Sequence, residues 1–283
     1  MGRRYDTISL LTDYGLTDEF VGVVKSVIRD IAPHVTTIDL THDVPAFDVR
    51  AGGLALARAI PYVAGGIVLA VVDPGVATQR KAVAIEVVHG EGVLIGPDNG
   101  LLAPAVALTG GAERAVALTN PEYQLPAPGP TFAGRDIFAP AAAHLANGVD
   151  LTELGELLDI DLLTPAVVPL TRTDGDAIVG EVLWVDRFGN AQLNIDPDEV
   201  EDLGDRVAVR VGAVRRVARR VEAFAALGPG EIGIIVDSYG LLAVCLDQRS
   251  AADELNLAAG SEVRLSSPGD DGDAHSTPIA FTR

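Results

Sequence analysis

The sequence predicts two domains: an α/β N-terminal domain with a largely parallel sheet, and a smaller all-β, barrel-like C-terminal domain. Three observations predict it. The 283 residues are about twice a typical single domain. The first half alternates short β-branched runs with amphipathic helical patterns, as strand–helix–strand layers do. From near residue 165 the pattern becomes short strands separated by turn signals, as in a sandwich or barrel. The change falls in the poorly periodic stretch 160–176, which contains Pro165 and Pro169, and divides the chain into domains 1–164 and 165–283.

In the first half, TISLL (7–11) is a short buried strand. Residues 18–31 place Phe20, Val23, Val24, Val27, Ile28 and Ile31 at helical spacing, with Asp18 as the N-cap. VTTIDL (35–40) reads as a strand, and Asp48 caps a second helix that runs to Ala59. GIVLAVV (66–72) is short and rich in β-branched residues, so it reads as a buried strand. AVAIEVV (82–88) and VLI (93–95) are further strands, the second closed by the turn GPDNG, and 134–147 is a helix. In the second half the strands are AIVGEVLWV (177–185), AQLNI (191–195), VAVRV (207–211), IGIIV (232–236), LLAVCL (241–246) and EVRLSS (262–267). The tail from Pro268 is polar, rich in breakers and expected to fray.

Composition excludes several classes. With 21 Lys and Arg against 40 Asp and Glu, the formal charge is −19. Such a surface repels phosphate backbones and anionic membranes, so neither nucleic acid nor membrane is an expected partner. A single Cys, Cys245, excludes a disulfide framework and a Cys-based zinc site. The N-terminus does not read as a signal peptide and no apolar run is long enough to span a bilayer, which makes the cytoplasm the expected location. G-x-G-x-x-G after the first strand, G-x-x-x-x-G-K-[ST] and H-E-x-x-H are all missing.

The positive clues are acids at strand ends. Ligands of open α/β sheets bind beyond the carboxyl ends of the strands, and Asp13 and Asp73 follow TISLL and GIVLAVV. A carboxylate there can bind a ribose diol or hold a water; an Asp at a strand end can also be a plain turn former. Arg80 follows Asp73 across DPGVATQ, a loop with Pro and Gly that can return it to Asp73. An arginine beside a carboxylate favours its charged form, which can polarise a water; a surface ion pair would be worth little. In PTFAGRDIFAPAAAHLA (130–146), Gly134 lies near a helix start, where backbone N–H groups can meet an anion or a nucleophilic oxygen. VDRFGNAQLNI puts Asp186, Phe188 and Asn190 around a tight turn, with Phe188 able to offer a flat face to a base. DSYGLLAV is another strand–loop–strand, with the Ser238 hydroxyl free. A hairpin turn explains either of these loops alone.

Taken in order, LLTDYGLTDEFVGVVKSVI, VVDPGVATQRKAVAIE, GPDNGLL, TFAGRDIFAPAAAHLA, VDRFGNAQLNI and DSYGLLAV resemble the S-adenosyl-L-methionine (SAM) hydrolases, or SAM hydroxide adenosyltransferases, relatives of the SAM-dependent fluorinase and chlorinase. The resemblance runs over about residues 7–267. It implies an enzyme that hydrolyses SAM to adenosine and L-methionine by in-line attack of water or hydroxide at ribose C5′, with SAM as substrate and no cofactor or metal. It also implies a homotrimer with the site at a subunit interface. Carried over, Asp13 binds the ribose hydroxyls and Phe47 flanks the substrate. Asp186 faces the methionine ammonium with Asn190 beside it. Phe188 stacks near adenine, Ser238 holds the methionine carboxylate, and backbone at Ala251 and Ala252 meets the adenine edge. Asp73 with Arg80 matches the hydrolase pattern rather than the halogenase one, since a carboxylate in a dry site repels a halide.

One position departs from that pattern. The hydrolases carry T-F-H-G-R-D, and this chain has Ala133 in place of the His, between Phe132 and Gly134. The other His residues offer no obvious replacement; His144 is roughly 16 Å further along a regular helix. Ala133 is read either as a natural variation or as an introduced truncation. Losing a positioned acid/base costs about 10² to 10⁴ in rate, so impaired hydrolysis is expected, with SAM binding retained. The alternatives are a non-catalytic SAM- or adenosine-binding protein and, against Asp73, a SAM:halide adenosyltransferase.

Overall fold

The computed structural model describes residues 4–167 and 169–269; the part of the tail beyond Gly269, expected to fray, lies outside them. The chain divides into two compact units, one ending at Val167 and one beginning at Val168.

The first unit holds strands β1 (Thr7–Thr12), β2 (Thr36–Thr41), β3 (Gly66–Val71), β4 (Ala82–Val87), β5 (Gly92–Pro97), β6 (Arg114–Leu118) and β7 (Gly155–Leu158). Its helices are α1 (Phe20–Ile31), α2 (Val49–Ala59), α3 (Ala103–Leu108) and α4 (Ala139–Ala146). The sheet order is β2-β1-β3-β5-β4-β6-β7. The first four strands in that order pair in parallel; β4, β6 and β7 extend the sheet antiparallel. Side chains of a strand alternate between faces, and here both faces are apolar. Ile67, Leu69 and Val71 pack with Val24 and Ile28 of α1 and the alanines of α4. Val68, Ala70 and Val72 pack on the other face with Leu56 of α2 and Ala105 of α3. The result is a three-layer α/β/α unit.

Asp48 caps α2 as expected, its carboxylate accepting the Ala51 N–H at 2.9 Å. Asp18 does not cap α1: the helix begins at Phe20, after Glu19, and no side chain caps it. Phe20 instead packs its ring against Tyr14 and Phe132, which sets the entry of the chain. The helix expected over 134–147 opens with a π-helical turn, Gly134–Phe138, before becoming α4. Wide turns of this kind recur at functional sites.

The second unit adds β8 (Arg172–Asp174), β9 (Ala177–Val185), β10 (Ala191–Leu193), β11 (Arg206–Val211), β12 (Val214–Arg220), β13 (Ile232–Val236), β14 (Leu242–Cys245) and β15 (Glu262–Ser266), with the short helix α5 (Ala251–Leu255). The order β10-β14-β13-β12-β11-β15-β9 closes through the β9–β10 pair, so seven strands form a barrel and β8 adds to the outside of β9. Val182, Leu193, Val209, Ile234, Val244 and Leu265 fill its interior. Closure removes exposed strand edges. Strand β12, VRRVARR, was not expected. Its arginines mask the alternation, and Ala218 is its one buried residue.

A buried carboxylate ties the N-terminal segment to the antiparallel half of the first sheet. Glu86 on β4 accepts from Arg114 Nε at 2.5 Å and Arg4 Nη2 at 2.7 Å, and its side chain is 5% exposed. The Arg114 bond above all, with Arg4, holds the Glu86 carboxyl below its usual value of 4.5. A carboxyl depressed in the folded state stabilises the fold above its unfolded value, and that contribution is lost as pH falls through the folded one. Glu86→Gln is therefore expected to lower unfolding free energy at pH 7 by about 1 to 2 kcal/mol. This is the lower part of the range for charged hydrogen bonds, because both guanidinium groups are part-exposed. Denaturant titrations should show the deficit constant near neutrality and shrinking below about pH 4.5; a deficit that persists undiminished in acid would refute the assignment.

Candidate active site

Strand pairing places the two acids. Because β1 and β3 are parallel neighbours with Thr12 opposite Val71, Asp13 and Asp73 both leave the sheet at its carboxyl edge. The Asp13 N–H still reaches the Val71 carbonyl at 3.4 Å. Behind Asp73, the Asn99 amide of GPDNG donates to the Val72 carbonyl at 2.9 Å and fixes the end of the strand.

The loop after Asp73 is a stack of tight turns. The Val76 N–H donates to the Asp73 carbonyl at 3.2 Å and the Thr78 N–H to the Gly75 carbonyl at 3.1 Å, with Ala77 at φ 64°. Thr78 Oγ1 then accepts the Arg80 N–H at 3.4 Å. These turns bring Arg80 back to Asp73. Arg80 Nε lies 2.9 Å from both carboxylate oxygens, and Nη2 also donates to Oδ2. The side chains are 5% (Asp73) and 13% (Arg80) exposed, and the guanidinium sits 5.4 Å over the ring of buried Phe138. This is a fixed, mostly desolvated fork, unlike the surface ion pair that was the plain alternative.

Asp13 belongs to a second constellation. Its Oδ2 accepts the backbone N–H of Phe47 at 2.9 Å. Phe47 adopts φ 69°, which a non-glycine residue rarely holds, and the residue is 73% exposed. The turn after Asp13 is held from below. Buried Thr12 places Oγ1 2.8 Å from His42 Nδ1 and accepts the Tyr14 N–H at 3.2 Å, while the Gly15 N–H donates to the His42 carbonyl at 2.8 Å. Lys25 and His42 both approach Asp39, at 2.6 and 3.2 Å.

Ala133 is buried and leads into the π-helical turn at Gly134. The Tyr14 hydroxyl lies close against Gly134, where a Cβ would collide with that oxygen. Burial pushes the Tyr14 phenol well above its usual value of 10, and the charges of Asp13 and Asp73 push the same way. The described histidines are engaged elsewhere: His42 with Thr12, His34 with the Tyr5 carbonyl, His89 with Glu113, and His144 edge-on to Tyr123.

In the second unit, two loops are built alike. Asp186 Oδ1 accepts the N–H groups of Phe188 and Asn190 at 2.9 and 2.8 Å, and Oδ2 accepts the Asn190 amide at 2.8 Å. Asp237 Oδ1 accepts the N–H groups of Tyr239 and Leu241 at 2.8 and 3.2 Å. Buried Gln192 joins the two loops, donating to Asp237 Oδ2 at 2.5 Å. The rings of Phe188 and Tyr239 and the side chain of Ser238 are exposed. Gly189, at φ 83°, packs on Ser250, and its carbonyl accepts the Ala252 N–H at 2.9 Å. Ala252 thus spends that N–H inside the unit, beside buried Ala251.

The structure brings together Asp73 with Arg80, Asp13 with Phe47, and Asp186, Phe188 and Asn190 with the Ala251–Ala252 corner. Tyr14, Thr12, His42, Asn99 and Gln192 were not singled out from the sequence. Tyr14 had a signal, its place directly after Asp13 in LLTDYG; the others are buried polar residues visible only once partners are known. The buried Cys245 thiol is pushed up to about 12 by burial, which makes it a poor nucleophile. Among the described residues, no group of three His, Cys, Asp or Glu side chains is placed to hold a metal ion, and no helix is long and apolar enough to cross a membrane.

Comparison with known proteins finds a family model matching within each unit. Residues 8–155 match the SAM hydroxide adenosyltransferase N-terminal domain and residues 180–264 the corresponding C-terminal domain. The chain belongs to the SAM hydroxide adenosyltransferase family. It is 44% identical, over 91% of its length and 97% of the relative's, to the (R)-S-adenosyl-L-methionine hydrolase of Salinispora tropica. It is 42% identical to the protein of the same name from Thermus thermophilus, over 91% and 98% of the two chains. A fluorinase from Nocardia brasiliensis is more distant, at 29% identity over 93% and 97%. Among solved structures, an uncharacterized conserved protein from Thermotoga maritima superposes with a TM-score of 0.84 at 35% identity, over 92% of this chain and 99% of that one.

The corner at Gly189 gives a test of the second unit's site. Gly189→Ala meets both an unfavourable φ and the Cα and Cβ of Ser250. It is expected to cost about 1 to 3 kcal/mol in unfolding free energy. Ser250→Ala in the same chain should not restore the loss, because the obstructing atoms remain. Full recovery in that double variant would show that only the Ser250 hydroxyl was in the way.

Proposed function

We propose that this member of the family hydrolyses S-adenosyl-L-methionine to adenosine and L-methionine. Water attacks ribose C5′ in line with the C–S bond, whose electron pair leaves with the methionine sulfur. The observation that carries the reading is the buried Asp73–Arg80 fork on the carboxyl edge beside Asp13, in a chain closely similar to proteins named for this reaction.

The chemistry asks little of the protein beyond position. A sulfonium leaves as a neutral thioether, so no general acid is needed, and the reading includes no metal or cofactor. What is needed is one oxygen aligned opposite the C–S bond in a site closed to bulk water. Arg80 occupies one edge of the Asp73 carboxylate and leaves acceptor positions that can hold the water and take its proton. Asp73 also offsets the positive sulfonium and repels a halide. In the same reading Asp13 takes the ribose diol, Phe47 and Phe188 flank the substrate, Asp186 and Asn190 face the methionine ammonium, and Ser238 holds its carboxylate. Since the Ala252 N–H is already bonded, adenine recognition falls to other backbone groups of that corner. The homotrimer, with its site at the subunit interface, and the cytoplasmic location belong to this proposal as well.

Ala133 favours a second reading, a SAM-binding protein without turnover. A methyl in place of imidazole removes one partner of the water, and slow hydrolysis with retained binding is the expected consequence. Chromatography of the protein incubated with SAM separates the two. The hydrolase reading predicts adenosine above the no-protein control, an Asp73→Asn variant about a hundredfold slower, and an Ala133→His variant at least about tenfold faster. Intact SAM from the parent and the His variant alike, despite binding, would leave the non-catalytic reading. 5′-Chloro-5′-deoxyadenosine on adding chloride would move the activity to halide transfer.

A further inference from the structure

The hydroxyl of Tyr14 has no part in the reaction described so far, yet it lies among the groups that define the water's surroundings. The ring is packed by Phe20 at 5.7 Å and Phe132 at 5.8 Å, so the oxygen has little freedom. Tyr14 directly follows Asp13, and because Thr12 pairs with Val71, Tyr14 and Asp73 each lie two residues past that pair at the carboxyl edge; the charges of Asp13 and Asp73 act on its phenol. Its oxygen lies against the backbone of Gly134, one residue from Ala133. Glycine is required there, since a Cβ would meet the hydroxyl and lie 3.2 Å from both Cε2 and Cζ of the ring. A neutral phenol has its own proton to donate. Burial and the two carboxylates keep that proton in place, so the group acts as a donor and not as a base.

We propose that the Tyr14 hydroxyl donates a hydrogen bond to the attacking water and so serves, in this chain, the place where Ala133 offers only a methyl group. The inference rests on the hydrolase reading and deepens it. Tyr14 keeps its proton throughout: the water oxygen bonds to C5′, the C5′–S pair goes to sulfur, and the water's proton passes to the Asp73 carboxylate. The role is orientation of one lone pair, which leaves the other aimed at C5′.

Tyr14→Phe removes the hydroxyl and keeps the ring between Phe20 and Phe132. The test measures kcat and KM for adenosine formation, and SAM affinity by calorimetry, in the parent, Tyr14→Phe, Ala133→His and the double variant. The expected result is a kcat about ten- to a hundredfold lower in Tyr14→Phe, with KM and SAM affinity within about twofold. Ala133→His should then raise kcat by a larger factor in the Phe background than in the parent, because it replaces the lost partner. A merely structural Tyr14 would instead move KM and the thermal midpoint, and no such rescue would follow. Parent-like kcat in Tyr14→Phe, or two effects that multiply independently, would overturn the inference and leave the hydrolase reading intact. So would a parent that binds SAM without turnover while Ala133→His is active. If neither the parent nor the His variant releases adenosine, the hydrolase reading itself fails and the role of Tyr14 with it.

Discussion

The parallel pairing of β1 with β3 is the constraint on which the rest of the first unit's site depends. Ile67, Leu69 and Val71 face one helical layer while Val68, Ala70 and Val72 face the other, so a one-residue slip of β3 would exchange the two faces and their apolar partners. That register puts Thr12 opposite Val71, and both acids then emerge at the same edge. The α/β scaffold supplies the location; what happens there is decided by the short loops that follow each strand.

Those loops use their polar groups to fix one another before any ligand arrives. Asp13 holds the Phe47 backbone, Thr12 and His42 hold the Tyr14–Gly15 turn, and Arg80 holds Asp73. In the second unit Asp186 and Asp237 close their own loops and Gln192 joins them. Side chains fixed in this way lose little freedom on binding, the condition for aligning one oxygen opposite a C–S bond. The departure at Ala133 fits the proposed site: several elements converge there, so a methyl at this position leaves the Asp73–Arg80 fork and the Tyr14–Gly134 contact in place.

Much of this was legible in the sequence because it follows from local pattern. The apolar runs of β1 and β3 end in Asp13 and Asp73, and the Pro-Gly composition of 73–80 pointed to a returning loop. The Asp186 turn was visible in DRFGN. What was hidden depends on contacts between distant segments. The Asp13–Phe47 bond needs an unusual φ at Phe47, and no spacing in VPAFDV announces it. Tyr14 meets Gly134 only because α1 brings Phe20 against Phe132 and closes an aromatic cluster around the phenol. Strand β12 was hidden because arginines occupy both of its faces, and the antiparallel half of the first sheet because a strand's direction is set by partners rather than by composition.

The central claim is that water displaces methionine at C5′ of SAM. The most direct test is to run the reaction in H₂¹⁸O and weigh both products by mass spectrometry. The account predicts adenosine carrying a single ¹⁸O at the 5′-hydroxyl and unlabelled methionine. Unlabelled adenosine, label in the amino-acid fragment, or SAM recovered intact would contradict it.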